Sequence, residues 1–169
     1  MIRQATPSDL PDIERLWLAL TDEMQATDNR FQLADDALTR WRNDVPHWLD
    51  APSHRFWVAE VEQRVVGFTD AEVQHASPLY ADVVSAFIHH LYIEPAHRRS
   101  GFAQNLVEHV RHWGRARGCV QLQWRLLAQN EGGRRFWTAV GGKSFSETWT
   151  CPLDDTIRPQ ASRRPLGFR

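Results

Sequence analysis

Residues 90–106 read HLYIEPAHRRSGFAQNL, and this stretch determines how the rest of the chain is interpreted. The aromatic and β-branched run from Phe87 to Ile93 predicts a strand, which Pro95 ends because proline cannot donate to a strand ladder. Apolar residues then recur at helical spacing from Phe102 to Trp113. The turn between them contains Gly101, so its backbone N–H groups are predicted to bind an anion such as a phosphate at the helix N-terminus.

The spacing Arg98-x-x-Gly101-x-Ala103 after an apolar strand resembles the acetyl-CoA-binding signature of the GNAT N-acetyltransferase superfamily. It differs from the dinucleotide-binding fingerprint, which needs three glycines after a strand, and from a Walker loop, since no Gly-Lys-Ser/Thr follows. Asn130 and the residues after it resemble the family's Asn-x-x-Ala-x-x-x-Tyr segment. The resemblance extends over residues 2–149, and its specific motifs are the stretch 91–104 and Asn130.

Hydrophobic periodicity predicts strands at 2–5, 56–61, 65–73, 85–94, 120–127 and 143–150, and helices at 10–20, 33–48, 101–118 and 130–140. The fourth and fifth strands flank a helix, which predicts a parallel right-handed crossover. The resemblance implies an α/β fold of the α+β type: one GNAT-like domain over residues 1–150, with a mixed central sheet of six or seven strands and helices on both faces. Residues 151–169 form a Pro/Arg-rich tail.

Composition narrows the class of protein. A chain of 169 residues with 42% hydrophobic residues forms one domain with a sizeable core. The net charge of −1 and the scattered arginine pairs argue against a nucleic-acid partner. No signal peptide and no apolar run of membrane-spanning length is visible, so a cytoplasmic location without a membrane partner is expected. Two cysteines are too few for a disulfide framework.

The resemblance implies acetyl-CoA as a cosubstrate and no metal. Backbone groups of Leu91, Tyr92 and Ile93 are expected to bind the pantetheine arm and the thioester, whose oxyanion they stabilise. The turn and the later helix complete the predicted cofactor-binding set, which comprises Arg98, Arg99, Ser100, Gly101, Phe102, Ala103, Gln104, Asn130 and Trp137.

Trp137 departs from the resembled family, because many members place there a tyrosine that protonates the leaving thiolate. An indole N–H is a hydrogen-bond donor with no accessible proton to give, so the general-acid role does not transfer to Trp137. A cysteine-like thiol has a pKa of about 8.5, and a thiolate can therefore leave unassisted or with help from water.

The acceptor amine must lose a proton, and a base with a pKa near neutrality assists this step. Strand alternation predicts that His89 shares the face of Leu91 and that His90 lies on the opposite face. Some members of the resembled family carry a His or Glu two or four residues before the position of Leu91. The predicted catalytic residues are therefore His89 and Glu72, with His75 after the third strand as a further rival to His89. A structural role for His89 is an equal alternative, and a structural role is favoured for His90.

These features predict an N-acetyltransferase that moves the acetyl group of acetyl-CoA to a primary amine of a small molecule or peptide by direct attack on the thioester. The alternative is a non-catalytic acyl-CoA-binding or sensing module, which Trp137 supports. A nucleic-acid-binding protein is a third and weaker hypothesis. A homodimer is compatible with the sequence, and the acceptor amine is not identified by it.

Overall fold

The computed structural model describes residues 1–77, 79 and 82–151. Five strands form a single sheet in the order β1-β2-β3-β4-β5. The strands are β1 (Ile2–Gln4), β2 (His54–Val61), β3 (Arg64–His75), β4 (Val84–Ile93) and β5 (Gln121–Trp124). The helices are α1 (Leu10–Thr27), α2 (Ala37–Asp50), α3 (Phe102–Ala116) and α4 (Glu131–Ala139).

The sheet is mixed, as the sequence predicts. Strands β1 to β4 pair antiparallel, and β2 and β3 form a hairpin whose turn residues Glu62 and Gln63 have positive φ angles of 48° and 63°. Strands β4 and β5 pair parallel and are connected through α3, so the predicted parallel crossover is confirmed. This connection places the N-terminus of α3 directly after the end of β4.

Helices cover both faces of the sheet, which confirms the predicted layers. On one face α1 and α2 pack through an apolar core with Ile13, Leu16, Val58 and Phe68 at its centre. On the other face α3 and α4 pack against Ala71 and Ile88 through a core that includes Leu106, Val107, Val110 and Trp137. Below we call these the α1–α2 face and the α3–α4 face.

The prediction of six or seven strands is wrong for the part of the chain that the structure describes. Residues 143–150 have no regular secondary structure there, and Phe145 and Trp149 are 90% and 86% exposed. A strand needs a ladder partner for its backbone groups, and none of the five strands pairs with this segment. Beyond Cys151 the predicted Pro/Arg tail lies outside the described residues.

Candidate active site

Strand β4 contains a β-bulge at His89. His90 lies opposite Asp70 and Ile88 lies opposite Ala71, so His89 is the extra residue of the bulge. A bulge of this kind interrupts side-chain alternation, and bulges are enriched next to active sites. The bulge determines which way the two histidines point.

Both histidines lie on the α1–α2 face as a result. The ring of His89 is 5.4 Å from that of His54, which stacks on Trp48 of α2. The ring of His90 is 6.0 Å from that of Phe68, a member of the α1–α2 core. Leu91, in contrast, packs into the core of the α3–α4 face. The predicted placement of His89 on the face of Leu91 is therefore wrong, because regular alternation does not survive the extra residue.

The same part of β4 borders a gap in the sheet. Strand β5 pairs with residues 85–88 of β4, and the last pair is Ile88 with Trp124. Beyond it, the Ile93 carbonyl accepts a hydrogen bond from Arg98 Nε at 2.8 Å, whereas the Glu94 N–H donates to Val66 on β3 at 2.9 Å. Backbone groups of an antiparallel strand alternate in direction. Those of Leu91 and Ile93 therefore face the gap, and those of Tyr92 face β3.

The N-terminus of α3 presents a row of backbone donors beside this gap. Arg99 and Gly101 have left-handed φ angles of 64° and 86°, and the first hydrogen bond of the helix runs from Asn105 N–H to the Gly101 carbonyl. Within the described residues, the N–H groups of residues 99–104 have no protein acceptor. An added Cβ at Gly101 has nothing within 4 Å, so the turn is open to a ligand.

The side chain of Arg98 reaches from this turn to α1. Its guanidinium donates to Glu23 at 2.6 Å and lies 5.3 Å from the centre of the Tyr92 ring. The Tyr92 hydroxyl donates to the same Glu23 carboxylate at 3.1 Å. Burial, followed by the negative charge of Glu23, raises the pKa of Tyr92 above its ordinary value. Tyr92 therefore contributes an anchored side chain to the α1–α2 face.

Asn130 and Trp137 have structural contacts on α4. Asn130 is the N-cap, and its Oδ1 accepts a hydrogen bond from Gly133 N–H at 2.7 Å. Gly133 fits because an added Cβ there would lie 2.7 Å from Leu126 Cδ1. The Trp137 ring stacks on that of Trp124, the last residue of β5, with ring centres 4.1 Å apart. This aromatic pair forms one wall beside the end of β5.

A buried carboxylate lies behind the two histidines. The side chain of Asp70 is 1% exposed, and it contacts His54 Nε2 through Oδ2 and His90 Nδ1 through Oδ1, both at 2.8 Å. Burial alone would raise the pKa of Asp70, but the charge of His90 and the hydrogen bonds from both imidazoles hold that pKa far below its usual range. Asp70 is therefore an ionised group between two imidazole rings.

Glu72 and His89, the predicted catalytic pair, contact each other on the same face. His89 Nε2 lies 3.3 Å from Glu72 Oε2, which also accepts a hydrogen bond from Gln74 at 3.1 Å. The His89 side chain is only 5% exposed. Burial lowers the pKa of His89, and the neighbouring histidines lower it further while Asp70 and Glu72 oppose the change. His89 is thus buried beside its carboxylate partner.

Sequence reasoning missed Asp70 and His54. The signal for Asp70 was present, because a carboxylate in the middle of an otherwise apolar strand is almost never buried without partners. His54 had no comparable signal, since its proximity to Asp70 arises from the register of β2 against β3.

The described residues contain neither a metal-binding cluster nor a membrane-spanning helix. No group of three or more His, Cys, Asp or Glu side chains there is arranged to hold a metal ion. Among those residues, no helix has the length and apolar character needed to cross a membrane. A groove of about 390 Å³ is formed by residues of α1 and α2 and is lined by Leu10, Pro11, Glu14, Trp41, Arg42 and Pro46, none of them a histidine.

Comparison with known proteins identifies the class to which this fold and site belong. Residues 14–141 match the sequence model of the acetyltransferase (GNAT) family, and the chain therefore belongs to that family. Acetyl transfer is the activity for which this family is named.

Two curated relatives agree with this assignment. Human N-acetyltransferase 8 is 32% identical over 103 residues, which cover 56% of this chain and 42% of that protein. Aminoglycoside N(6')-acetyltransferase type 1 of Salmonella typhimurium is 25% identical over 107 residues, which cover 59% of this chain and 68% of that protein. The match therefore spans less than half of the human relative.

Solved structures share the fold. The BH1408 protein of Bacillus halodurans superposes with a TM-score of 0.79 at 16% identity, covering 90% of this chain and 99% of that one. An aminoglycoside N-acetyltransferase, AAC(6')-Iy, in complex with CoA gives a TM-score of 0.70 at 19% identity, covering 91% of this chain and 99% of that one. At these identities the likeness concerns the fold.

Proposed function

We propose that the chain transfers the acetyl group of acetyl-CoA to a primary amine of a small molecule or peptide, with CoA bound between the N-terminus of α3 and the open edge of β4. The observation that carries this proposal is the row of N–H donors at residues 99–104, which have no acceptor among the described residues. A pyrophosphate supplies oxygens for such a row, and the positive end of the helix dipole attracts its charge.

The gap between β4 and β5 suits the thioester end of the same molecule. Leu91 and Ile93 direct backbone groups into the gap, and the Leu91 N–H is the donor proposed to stabilise the oxyanion. The Trp124–Trp137 pair supplies an aromatic wall for the pantetheine arm. Asn130 supports this region as the cap of α4. Arg98 lies at the turn, where its charge assists phosphate binding.

The acceptor amine is proposed to approach from the α1–α2 face. Its accessible carboxylates include Glu23 on α1 and Glu72 on β3, which are 46% and 23% exposed and favour a cationic amine over an anionic one. The bacterial relatives bear the name aminoglycoside N(6')-acetyltransferase, so small polycationic amines are the first acceptors to test. Participation of His89 and Glu72 in proton removal stays a prediction.

A homodimer is part of the proposal. Exposed aromatic side chains at Phe145 and Trp149 lie on a segment without strand pairing, which is a surface that a second copy of the chain would cover. Sedimentation velocity at assay concentrations tests this, and a monomer at every concentration would remove the dimer from the proposal.

The activity is tested by a broad acceptor screen. Purified protein is incubated with acetyl-CoA and panels of aminoglycosides, polyamines, amino acids and peptide N-termini, and released CoA is detected as free thiol. We expect CoA release that depends on the acceptor, with an acetylated amine identified by mass spectrometry. CoA binding without transfer to any acceptor would instead favour the acyl-CoA-binding module.

A further inference from the structure

We propose that His90 is the base that accepts the proton of the acceptor amine at Nε2, with Asp70 and His54 as positioning residues. This inference rests on the proposed function and deepens it, since it assigns a proton acceptor to the same site. Four observations carry it: the contacts of Asp70 with His54 and His90, the exposure of the three histidines, the bulge in β4 and the open edge of that strand.

The hydrogen bonds determine the tautomer of His90. An ionised carboxylate only accepts hydrogen bonds, so both ring nitrogens that contact Asp70 must carry protons. A neutral His90 therefore has its proton on Nδ1 and its lone pair on Nε2. A carboxylate that orients an imidazole in this way is the arrangement that prepares histidine bases in many enzymes.

His54 keeps the carboxylate in place. Its ring stacks between Trp48 and Phe56, with ring centres 5.8 Å and 5.0 Å away and interplanar angles of 3° and 11°. The side chain is 4% exposed, so its Nε2–H is held against Asp70 Oδ2 and away from water. With one oxygen bound to His54, the other oxygen of Asp70 is directed at His90.

Exposure distinguishes His90 from the other histidines of the cluster. The side chains of His54 and His89 are 4% and 5% exposed, whereas that of His90 is 26% exposed. An acceptor amine can reach only an imidazole with an accessible nitrogen. Among the described residues, no hydrogen bond engages His90 Nε2. The cluster therefore has one accessible imidazole, and its free nitrogen is the basic one.

The bulge brings this imidazole to the strand that borders the gap. His90 directly precedes Leu91, whose backbone groups face the gap, while the His90 side chain lies on the α1–α2 face. An amine arriving from that face meets His90 beside the strand at which the thioester is proposed to bind. Without the extra residue at His89, the two histidines would point to opposite faces.

The transfer balances with His90 as the proton acceptor. An acceptor that arrives as an ammonium first gives one proton to His90 Nε2, which passes it to water. The neutral nitrogen then forms a bond to the acetyl carbonyl carbon, and its second proton moves to His90 Nε2. The carbon–sulfur bond breaks with its electron pair leaving on sulfur, and the CoA thiolate then takes up one proton from the imidazolium or from water. The products are an amide and CoA thiol, and no oxidant or reductant is involved.

The surrounding charges bear on the pH dependence. The titratable groups around His90 are Asp70 and Glu72 on β3, His54 on β2 and His89 on β4. Helix α1 contributes Glu23, which lies near Tyr92. Asp70 Oδ1 lies 2.8 Å from His90 Nδ1, beside the imidazolium that would form on proton transfer. A base acts in its unprotonated form, so activity is expected to fall on acidification.

The test compares His90→Gln with His89→Gln and with His109→Gln, an exposed histidine on α3 that hydrogen-bonds Asn105. We expect kcat/KM of His90→Gln to fall about 10²-fold or more at pH 7, the usual range for loss of a general base. The loss in kcat/KM of His90→Gln should become smaller as the pH approaches the pKa of the free amine, about 10 for an alkylamine, because the amine then arrives deprotonated. His109→Gln should retain the rate and profile of the natural protein.

A second variant tests the positioning residue. Asp70→Asn removes the charge that fixes the tautomer, so kcat should fall by roughly 10²-fold while KM for the amine changes little. Nitrogen NMR of histidine-labelled protein should show His90 with its proton on Nδ1 in the natural protein and a mixture of tautomers in Asp70→Asn. If Asp70→Asn does not fold, the His90→Gln variant still tests the proposal.

Two results would overturn the assignment. In one, His90→Gln keeps both rate and pH profile while the natural protein acetylates amines. In the other, the acidic limb of the pH–rate profile disappears in His89→Gln and persists in His90→Gln. That result would assign the role of base to the buried pair of His89 and Glu72. Absence of acetyl transfer by the natural protein with every acceptor would instead count against the proposed function.

Discussion

Among single residues, Trp137 contributes packing contacts but no dissociable proton for the leaving group. Its ring stacks on Trp124 at 4.1 Å and meets Phe136 edge to face at 5.0 Å, and its side chain is buried in the core of the α3–α4 face. These contacts require an aromatic ring at this position and do not depend on a dissociable proton. The leaving thiolate is therefore expected to depart without an acid from α4.

We predict that Trp137→Phe retains kcat to within a few-fold, because phenylalanine preserves the ring and no proton donor is lost. Thiol release under saturating substrates measures this. Trp113→Phe is the matched control, since Trp113 also packs edge to face, with Trp57 at 5.7 Å, and lies outside the proposed site. A several-hundredfold fall in kcat with unchanged KM in Trp137→Phe alone would show that the indole N–H takes part.

Asp9 illustrates a residue whose charge stabilises the fold. It accepts hydrogen bonds from Arg3 at 2.7 and 2.8 Å and from the Thr6 N–H at 2.8 Å, which ties the start of α1 to β1. The bonds from Arg3 outweigh burial and lower the pKa of Asp9 from 3.8 to about 2. The unfolded chain binds this proton more readily, so the contribution is complete above pH 4 and disappears as the pH falls through 2.

We therefore predict that Asp9→Asn lowers the free energy of unfolding by about 1.5–3 kcal/mol at pH 7, the range for hydrogen bonds to a charged group. The difference from the natural protein should narrow between pH 4 and pH 2 in urea titrations. Asp12→Asn is the control, because its pair with Arg15 is 42% exposed on both sides and contributes little. A constant difference across this range would contradict the assignment.

At the scale of elements, α3 carries the cofactor proposal through its first turn. Gly101 before the helix and Gly118 after it have left-handed φ angles of 86° and 76°, and an added Cβ at either position has nothing within 4 Å. Substitution therefore causes similar backbone strain at both ends. Only the Gly101 end presents the unaccepted N–H donors, so the two positions form a matched pair.

We predict that Gly101→Trp weakens CoA binding at least about 10-fold, equivalent to about 1.4 kcal/mol, because the indole obstructs the approach of the phosphates. Gly118→Trp should bind CoA like the natural protein, since the opposite end of α3 has no role in binding. Isothermal calorimetry measures both affinities after circular dichroism has established that the variants are folded. Equal affinities in the two variants would argue against phosphate binding at this turn.

At the scale of the whole molecule, the features encoded within a few neighbouring residues were predictable. The strand, turn and helix around Gly101 follow from local apolar periodicity and from a glycine in a left-handed conformation. The parallel pairing of β4 and β5 follows from the helix between them. These features suffice to predict the layers of the fold and the location of the proposed cofactor site.

Features that depend on register between distant segments were not predictable. The bulge at His89 arises from pairing between β3 and β4, so no local pattern identifies it. The contact of His54 with Asp70 joins residues 16 positions apart on different strands. The strand predicted at 143–150 does not form, because β propensity alone does not provide a neighbouring strand for pairing. The acceptor side of the site was consequently the part that sequence reasoning described least well.

A titration of ¹⁵N-labelled protein with CoA examines whether CoA binds between the N-terminus of α3 and the open edge of β4. We predict that the largest amide shifts occur at residues 99–104 and at Leu91 and Ile93, with little change at Gly118. Shifts clustered at the groove lined by α1 and α2, or no saturable shifts at residues 99–104, would show that CoA does not bind at this turn.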